Sequence, residues 1–160
     1  MLSVMDSLYC SIRREEFRKL SRIIRRLTVD KFYEVLTKNC WEFGIQYEIL
    51  IKNNEILEIK LSGMKRQSIL RYHTTAMVFE DEYEKFVNTL ARHDIYKGIY
   101  ITTGIFDFEV IQKSKSVIPS KRKVKLEDCF SFYRKQMGWF RGADEVFKAK
   151  NFKLYRYLPS

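Results

Sequence analysis

The sequence predicts an α/β fold in which helices cover a central sheet. Two β-rich runs, Gln46–Lys52 and Glu55–Leu61, flank the turn pair Asn53-Asn54, which tolerates positive φ and favours a hairpin. Segments with apolar residues at helical spacing lie before and after these runs. The chain has 160 residues, of which 46% are hydrophobic. That is enough for a single domain, 1–160, with a substantial core.

The first predicted element is a basic amphipathic helix in the N-terminal segment 1–28. Apolar residues make one stripe along Ser11 to Leu27, and most of the remaining residues are Arg or Lys. A second helix is predicted over Lys31 to Phe43, with Val29 as a hydrophobic staple and Asp30 as the N-cap.

After the hairpin, the pattern predicts a third strand, a helix and a fourth strand. These are Gln67 to Thr75, Glu80 to Arg92 and Gly98 to Thr103. The central order is therefore helix, three strands, helix, strand.

The last part of the chain is predicted to continue the alternation. It contains a helix at Phe108 to Ser114, a short strand at Lys123 to Leu126 and a helix at Glu127 to Met137. The C-terminal extension, 138–160, is basic and aromatic, and no element is predicted there.

The composition restricts the partners and the compartment. Lys and Arg number 30 against 20 Asp and Glu, a net charge of +10, which attracts polyanions such as nucleic acids. The three cysteines are odd in number and form no paired motif, so a reducing intracellular compartment such as the cytoplasm is expected. No apolar stretch is long enough to span a bilayer, and we expect no membrane partner.

Three segments resemble a known nuclease family. They are FYEVLTKNCWEFGI (Phe32 to Ile45), YEKFVNTLARHDIYKGIYITTGIF (Tyr83 to Phe106) and VKLEDCFSFY (Val124 to Tyr133). Their order and spacing resemble the Mrr-like members of the PD-(D/E)xK, or restriction-endonuclease, superfamily. The resemblance covers 30–133 and implies a restriction-endonuclease-like three-layer core with two basic additions at its ends.

The resemblance also implies where a catalytic site should lie. The family places a carboxylate on the second core strand and a Gln/Glu-x-Lys motif on the third, where they hold Mg²⁺ and position water. On this chain the second-strand candidates are Glu55 and Glu58, while the third-strand positions fall on Ser68 and Leu70. Leucine can neither bind a metal nor polarise a nucleophile, so the site is expected to be degenerate.

An alternative register gives an active, Mg-dependent DNA endonuclease. Glu58-Ile59-Lys60 has the ExK pattern, and Glu48 supplies an earlier acid. Glu58 and Lys60 are two apart on a strand and share a face. Alternating Glu and Lys is also typical of the solvent face of a hairpin, so Glu48, Glu58 and Lys60 remain catalytic candidates only in this reading.

Residues in four places are candidates for contact with nucleic acid. The resemblance adds the pair Arg71-Tyr72 and the strand terminus Thr102-Thr103. The charge pattern adds six arginines of the N-terminal helix and a late basic run: Arg13, Arg14, Arg18, Arg22, Arg25, Arg26, Lys121, Arg122 and Lys123. The helix could equally pack its apolar stripe on the domain or on a second copy.

The expected function is nucleic-acid binding, with DNA as the favoured ligand and a catalytically degenerate nuclease fold as the scaffold. A homodimer or an active nuclease subunit is the candidate protein partner. A structural or adaptor role in a nucleoprotein complex is the other alternative, and no cofactor is expected unless the Mg-dependent reading holds.

Overall fold

The computed structural model describes residues 14–24, 26–116, 122–138 and 152–160, together with residues 4, 8, 12, 141 and 146. Five α-helices, seven strands and one 3-10 helix lie within this part of the chain. In order they are α1 Arg14–Ile24, α2 Val29–Glu42, β1 Gln46–Lys52, β2 Ile56–Ser62, β3 Gln67–His73, β4 Met77–Val78, α3 Glu80–Arg92, β5 Lys97–Thr102, β6 Ile105–Phe106, α4 Phe108–Lys115, β7 Lys123–Glu127, α5 Cys129–Met137 and the 3-10 helix Leu154–Tyr157.

The central sheet is mixed and has five strands in the order β1-β2-β3-β5-β7. The first three strands are antiparallel neighbours. β3, β5 and β7 run parallel to one another, because a helix returns the chain between each of them, as parallel pairing requires. β4 and β6 form a separate two-stranded parallel sheet.

Helices cover both faces of the sheet, which gives three layers. On one face, residues of α2, α5 and the C-terminal tail pack against alternate sheet residues such as Leu57, Ile59 and Leu70. On the other face, α3 and α4 pack against Ile69 and Tyr100. We call these two sides of the sheet the α2/α5 face and the α3/α4 face.

The predicted α/β class, the hairpin and the order of elements are confirmed. β1 and α3 have the predicted bounds, and the other central elements differ by one or two residues at one or both ends. Among the described residues, no helix is both long and apolar enough to cross a membrane.

Two predicted helix starts are wrong. Thr28, not Asp30, is the N-cap of α2, because its extended backbone lets its hydroxyl accept from the Lys31 amide at 3.2 Å. Asp30 instead lies in the first turn and pairs with Lys52 at 2.6 Å. Similarly, Asp128 caps α5 by accepting from the Ser131 amide at 2.8 Å, so Glu127 belongs to β7.

Residues from both chain ends pack on the α2/α5 face. Ile24 and Leu27 follow the exposed Arg14 and Arg22 of α1 and are buried in its core. Phe152, Leu154 and Tyr157 of the C-terminal extension are buried in the same core. The extension therefore completes the fold instead of presenting all of its aromatic residues to a ligand.

Candidate nucleic-acid interface

A groove of about 850 Å³ opens where the parallel strands begin. Its walls are the β2–β3 turn (63–67), the α3–β5 loop (94–98) and the start of β7 (123–125). We call it the basic groove because its charged residues are Lys65, Arg66, Lys97, Lys123 and Lys125, with Asp94 as the single acid among its lining residues.

Most of these cations have no ion-pair partner among the described residues. Lys65, Arg66, Lys97 and Lys123 are exposed and form no ion pair with the described residues. Lys97 and Lys123 are directly paired across β5 and β7, an arrangement in which like charges repel. The groove thus concentrates positive charge that an anionic ligand could neutralise.

Lys125 and Asp94 are the two charged lining residues that do have partners. Lys125 lies 3.4 Å from Glu127, whose carboxylate also binds Lys135. Asp94 lies 3.5 Å from Arg122, so the one acid of the groove is offset by a cation at its rim.

Tyr96 adds an aromatic surface beside these charges. Its side chain is 54% exposed, and the Arg122 guanidinium carbon lies 5.3 Å from its ring centroid. This distance is within the range of a cation–π contact. Met64, which is 98% exposed, lies on the wall formed by the β2–β3 turn.

Two glycines let the walls approach their supports closely. A Cβ at Gly63 would lie 2.7 Å from the backbone oxygen of Pro159, so the C-terminal tail braces the β2–β3 turn. A Cβ at Gly98 would lie 2.7 Å from Leu90 Cδ1 and 2.9 Å from Phe86 Cε1, so α3 packs directly on the start of β5.

Toward the opposite end of the parallel strands, the charges are buried and paired. Glu58 is 1% exposed and Arg71 is 2% exposed. Arg71 Nε donates to Glu58 Oε2 at 2.6 Å, and its Nη1 donates to the backbone and side-chain oxygens of Glu82 at 3.2 and 3.3 Å. His73 Nδ1 lies 2.8 Å from the Tyr100 hydroxyl. We call Glu58, Arg71, His73, Glu82 and Tyr100 the buried network.

Burial changes the titration of this network. It lowers the pKa of His73, and the nearby Arg71 charge lowers it further, while Glu82 and Glu55 oppose the shift. It raises the pKa of Tyr100 to about 12 even though the guanidinium of Arg71 works in the opposite direction. Both shifts favour the neutral forms, as expected for groups removed from water.

The residues of the active-nuclease hypothesis share one face, but the carboxylate of Glu58 already has a partner. Glu48 is the direct cross-strand partner of Lys60, and Glu58 lies two residues from Lys60. However, the Glu58 carboxylate is held by Arg71, which already supplies the positive charge that a metal would provide. Among the described residues, no group of three or more His, Cys, Asp or Glu that could hold a metal occurs.

The degenerate register does not bring its residues together. Glu55 lies in the turn before β2 and is exposed, whereas Ser68 and Leu70 are buried on β3. Leu70 is paired with Ile59 and belongs to the core on the α2/α5 face. Glu58 lies between Leu57 and Ile59, which face α2 and α5, so it points to the α3/α4 face. On β2, the residues opposite Ser68 and Leu70 are Leu61 and Ile59 of the core, so no carboxylate lies across from them on that face.

Three of the predicted nucleic-acid contacts are buried. Arg71, Tyr72 and Thr102 are at most 2% exposed. The Tyr72 hydroxyl donates to the Leu27 carbonyl at 2.7 Å, and the Thr102 hydroxyl donates to the His73 carbonyl at 3.0 Å. A phosphate cannot reach these side chains, so their roles here are structural. Thr103 is partly exposed at the end of the same strand.

The remaining predicted contacts divide between the groove and the N-terminal helix. Lys123 lines the groove, and Arg122 borders it, 14% exposed. Arg14, Arg18, Arg22 and Arg26 are exposed. Arg13, Arg25 and Lys121 lie outside the described residues, as do Trp139, Phe140, Phe147 and Lys148 of the aromatic tail.

Sequence reasoning missed Lys65, Arg66, Tyr96 and Lys97 as candidates. A signal for them exists, since a cation precedes or begins each of the three parallel strands, at Arg66, Lys97 and Lys123. Strands that are parallel begin at the same edge, so their leading residues meet. This pattern can be recognised only when β3, β5 and β7 are known to be parallel neighbours.

No family model matches the chain, and no curated protein matches it. The resemblance to Mrr-like nucleases therefore remains a prediction from the sequence.

Proposed function

We propose that this protein binds nucleic acid through the basic groove, on a nuclease-like scaffold that has no working catalytic site. The observation that carries the proposal is the concentration of Lys65, Arg66, Lys97, Lys123 and Lys125 around one opening with a single acid. Phosphate contacts by Lys and Arg supply most of the affinity in non-specific nucleic-acid binding.

The distribution of ion pairs supports this proposal over a purely structural role for the charges. Near the acidic start of α3, cations are used internally: Lys113 binds Glu80 and Glu84, and Lys85 binds Glu82. Four of the five groove cations, Lys65, Arg66, Lys97 and Lys123, lack such partners among the described residues, and Lys125 lies 3.4 Å from Glu127. An overall excess of lysine for solubility would not by itself produce this segregation.

The exposed arginines of α1 offer a second surface for the same backbone. Their helix is attached to the core through Ile24 and Leu27, so both surfaces belong to one body. We assign the principal contacts to the groove, because its cations come from three different elements and converge on one opening.

A binding titration tests the proposal. Fluorescence anisotropy with a labelled 20-base-pair DNA should show binding at about 50 mM salt that weakens steeply as salt rises. Lys97→Gln and Lys123→Gln should each reduce the slope of log K against log salt by about 0.9, the value for one lost contact with duplex phosphate. Lys113→Gln is the matched control, because Lys113 lies on α4 and pairs with Glu80 and Glu84 of α3 away from the groove, and it should leave the slope unchanged.

Two results would overturn the proposal. Absence of binding to DNA and RNA at low salt would remove nucleic acid as the ligand and favour the adaptor role. Cleavage of plasmid DNA in Mg²⁺ or Mn²⁺ that Lys60→Ala abolishes would restore the active-nuclease reading.

A further inference from the structure

We propose that the basic groove takes single-stranded nucleic acid, with one unpaired base stacked on Tyr96. The inference rests on the proposed function and specifies its ligand. It starts from the aromatic ring among the groove cations, which phosphate binding alone does not require.

Tyr96 is placed as a stacking platform. Its side chain is 54% exposed although it is a large aromatic residue, and it follows Ile95, which is 2% exposed and fixes the loop in the core. The ring is therefore held at the surface by a buried neighbour. Aromatic rings in positively charged grooves bind successive bases of single strands through their faces.

Arg122 supports the ring from the protein side. Its guanidinium carbon lies 5.3 Å from the Tyr96 centroid, and Asp94 holds it at 3.5 Å. Its side chain is only 14% exposed, so this cation is largely shielded from solvent. A ring held in this way loses little conformational freedom when a base stacks on it.

The volume of the groove and the accessibility of the base faces both favour a single strand over a duplex. A volume of about 850 Å³ lies in the range of pockets that enclose a ligand, and it can admit a few nucleotides with their bases. In a duplex the base faces are hidden within the stack, so a duplex would offer Tyr96 only sugar and phosphate. A single strand offers both the phosphates for Lys97 and Lys123 and a free base face for the ring.

Anisotropy titrations with labelled dT12, rU12 and a 12-base-pair duplex test the inference on the full chain. We expect both single strands to bind more tightly than the duplex at equal salt. Tyr96→Ala should weaken single-strand binding about tenfold, within the range measured for loss of one stacked base. It should leave the salt slope and the duplex affinity unchanged, and Tyr96→Phe should retain single-strand affinity.

Tyr47→Ala is the matched control, because Tyr47 is a similarly exposed tyrosine on the distant edge strand β1. Equal affinity for single and double strands, or equal weakening of both by Tyr96→Ala, would overturn the inference while leaving the groove proposal intact. If Lys97→Gln also has no effect on any of the three ligands, the proposed function fails with it. The ratio of dT12 to rU12 affinity separates DNA from RNA.

Discussion

The two ends of the parallel strands use the same kind of residue for opposite purposes. Near the C-terminal ends, Arg71 is buried against Glu58 and Glu82. At the N-terminal ends, Lys97 and Lys123 are exposed and adjacent, with no acid paired to them among the described residues. The net charge of +10 does not distinguish these situations. The comparison separates cations whose charge the protein pairs internally from cations that have no such partner among the described residues.

Burial is what separates the two ends energetically. Burying a charged side chain costs its hydration free energy, which only a buried partner of opposite charge offsets. Loss of one partner therefore leaves the other charge uncompensated and strongly destabilises the fold. An exposed cation remains solvated, and its removal changes stability little. The following substitutions test this difference, in order of decreasing effect.

The largest effect should come from Arg71→Ala. The substitution leaves the Glu58 carboxylate buried without its partner and should lower the free energy of unfolding by about 3–5 kcal/mol. Urea denaturation followed by circular dichroism measures this loss. Arg66→Ala in the groove is the control and should change stability by no more than about 0.5 kcal/mol. Replacing both Glu58 and Arg71 with leucine and methionine should recover part of the loss, and similar losses for Arg71→Ala and Arg66→Ala would refute the contrast.

A smaller effect should follow from Gly98→Ala, at the groove itself. The new methyl would meet Leu90 Cδ1 and Phe86 Cε1 at 2.7 and 2.9 Å, and such overpacking costs about 1–3 kcal/mol. The Leu90→Ala variant frees space at this contact. If the clash is the cause, the double variant should lose less stability than the sum of the two single losses. Strict additivity would assign the effect to the strand backbone instead.

These two predictions also indicate what the sequence could and could not supply. The bounds of β1 and α3 follow from local periodicity, and so does the hairpin at Asn53-Asn54. The burial of Arg71 does not, because its partners Glu58 and Glu82 come from a different strand and a helix. A local pattern of alternating residues cannot show which distant acid will cover a cation.

Only part of the candidate site could be predicted from the sequence, again because the fold brings distant residues together. Lys123 and Arg122 stood out as part of a run of basic residues in the sequence. Lys97 and Tyr96 are a single cation and a single aromatic in a short loop, with nothing local to mark them. Only the parallel pairing of β5 with β3 and β7 places that loop beside the other two walls.

A pH dependence should arise from the buried network and not from the groove. Burial lowers the pKa of His73 below its ordinary value of about 6.5. As pH falls below that value, the unfolded chain binds a proton that the folded chain does not, and stability decreases until the lower folded pKa is passed. Wild type should therefore lose more stability between pH 7.5 and 5.5 than His73→Asn does. His93→Asn, at an exposed position, should behave like wild type, and identical pH profiles for His73→Asn and wild type would contradict the assignment.

The smallest effect, and the one of opposite sign, is expected for Lys97→Gln. Because Lys97 is directly opposite Lys123, removing its charge relieves repulsion and should stabilise the fold by about 0.2–0.5 kcal/mol at low salt. The gain should disappear near 1 M salt, where the screening length falls to about 3 Å. Lys123→Gln should give a similar gain, and the double variant no more than either, since one substitution already removes the repulsive pair. A loss of stability at every salt concentration would mean that these lysines support the fold. A gain, together with weaker nucleic-acid binding, would mean that the protein keeps an unfavourable pair of charges where its ligand binds.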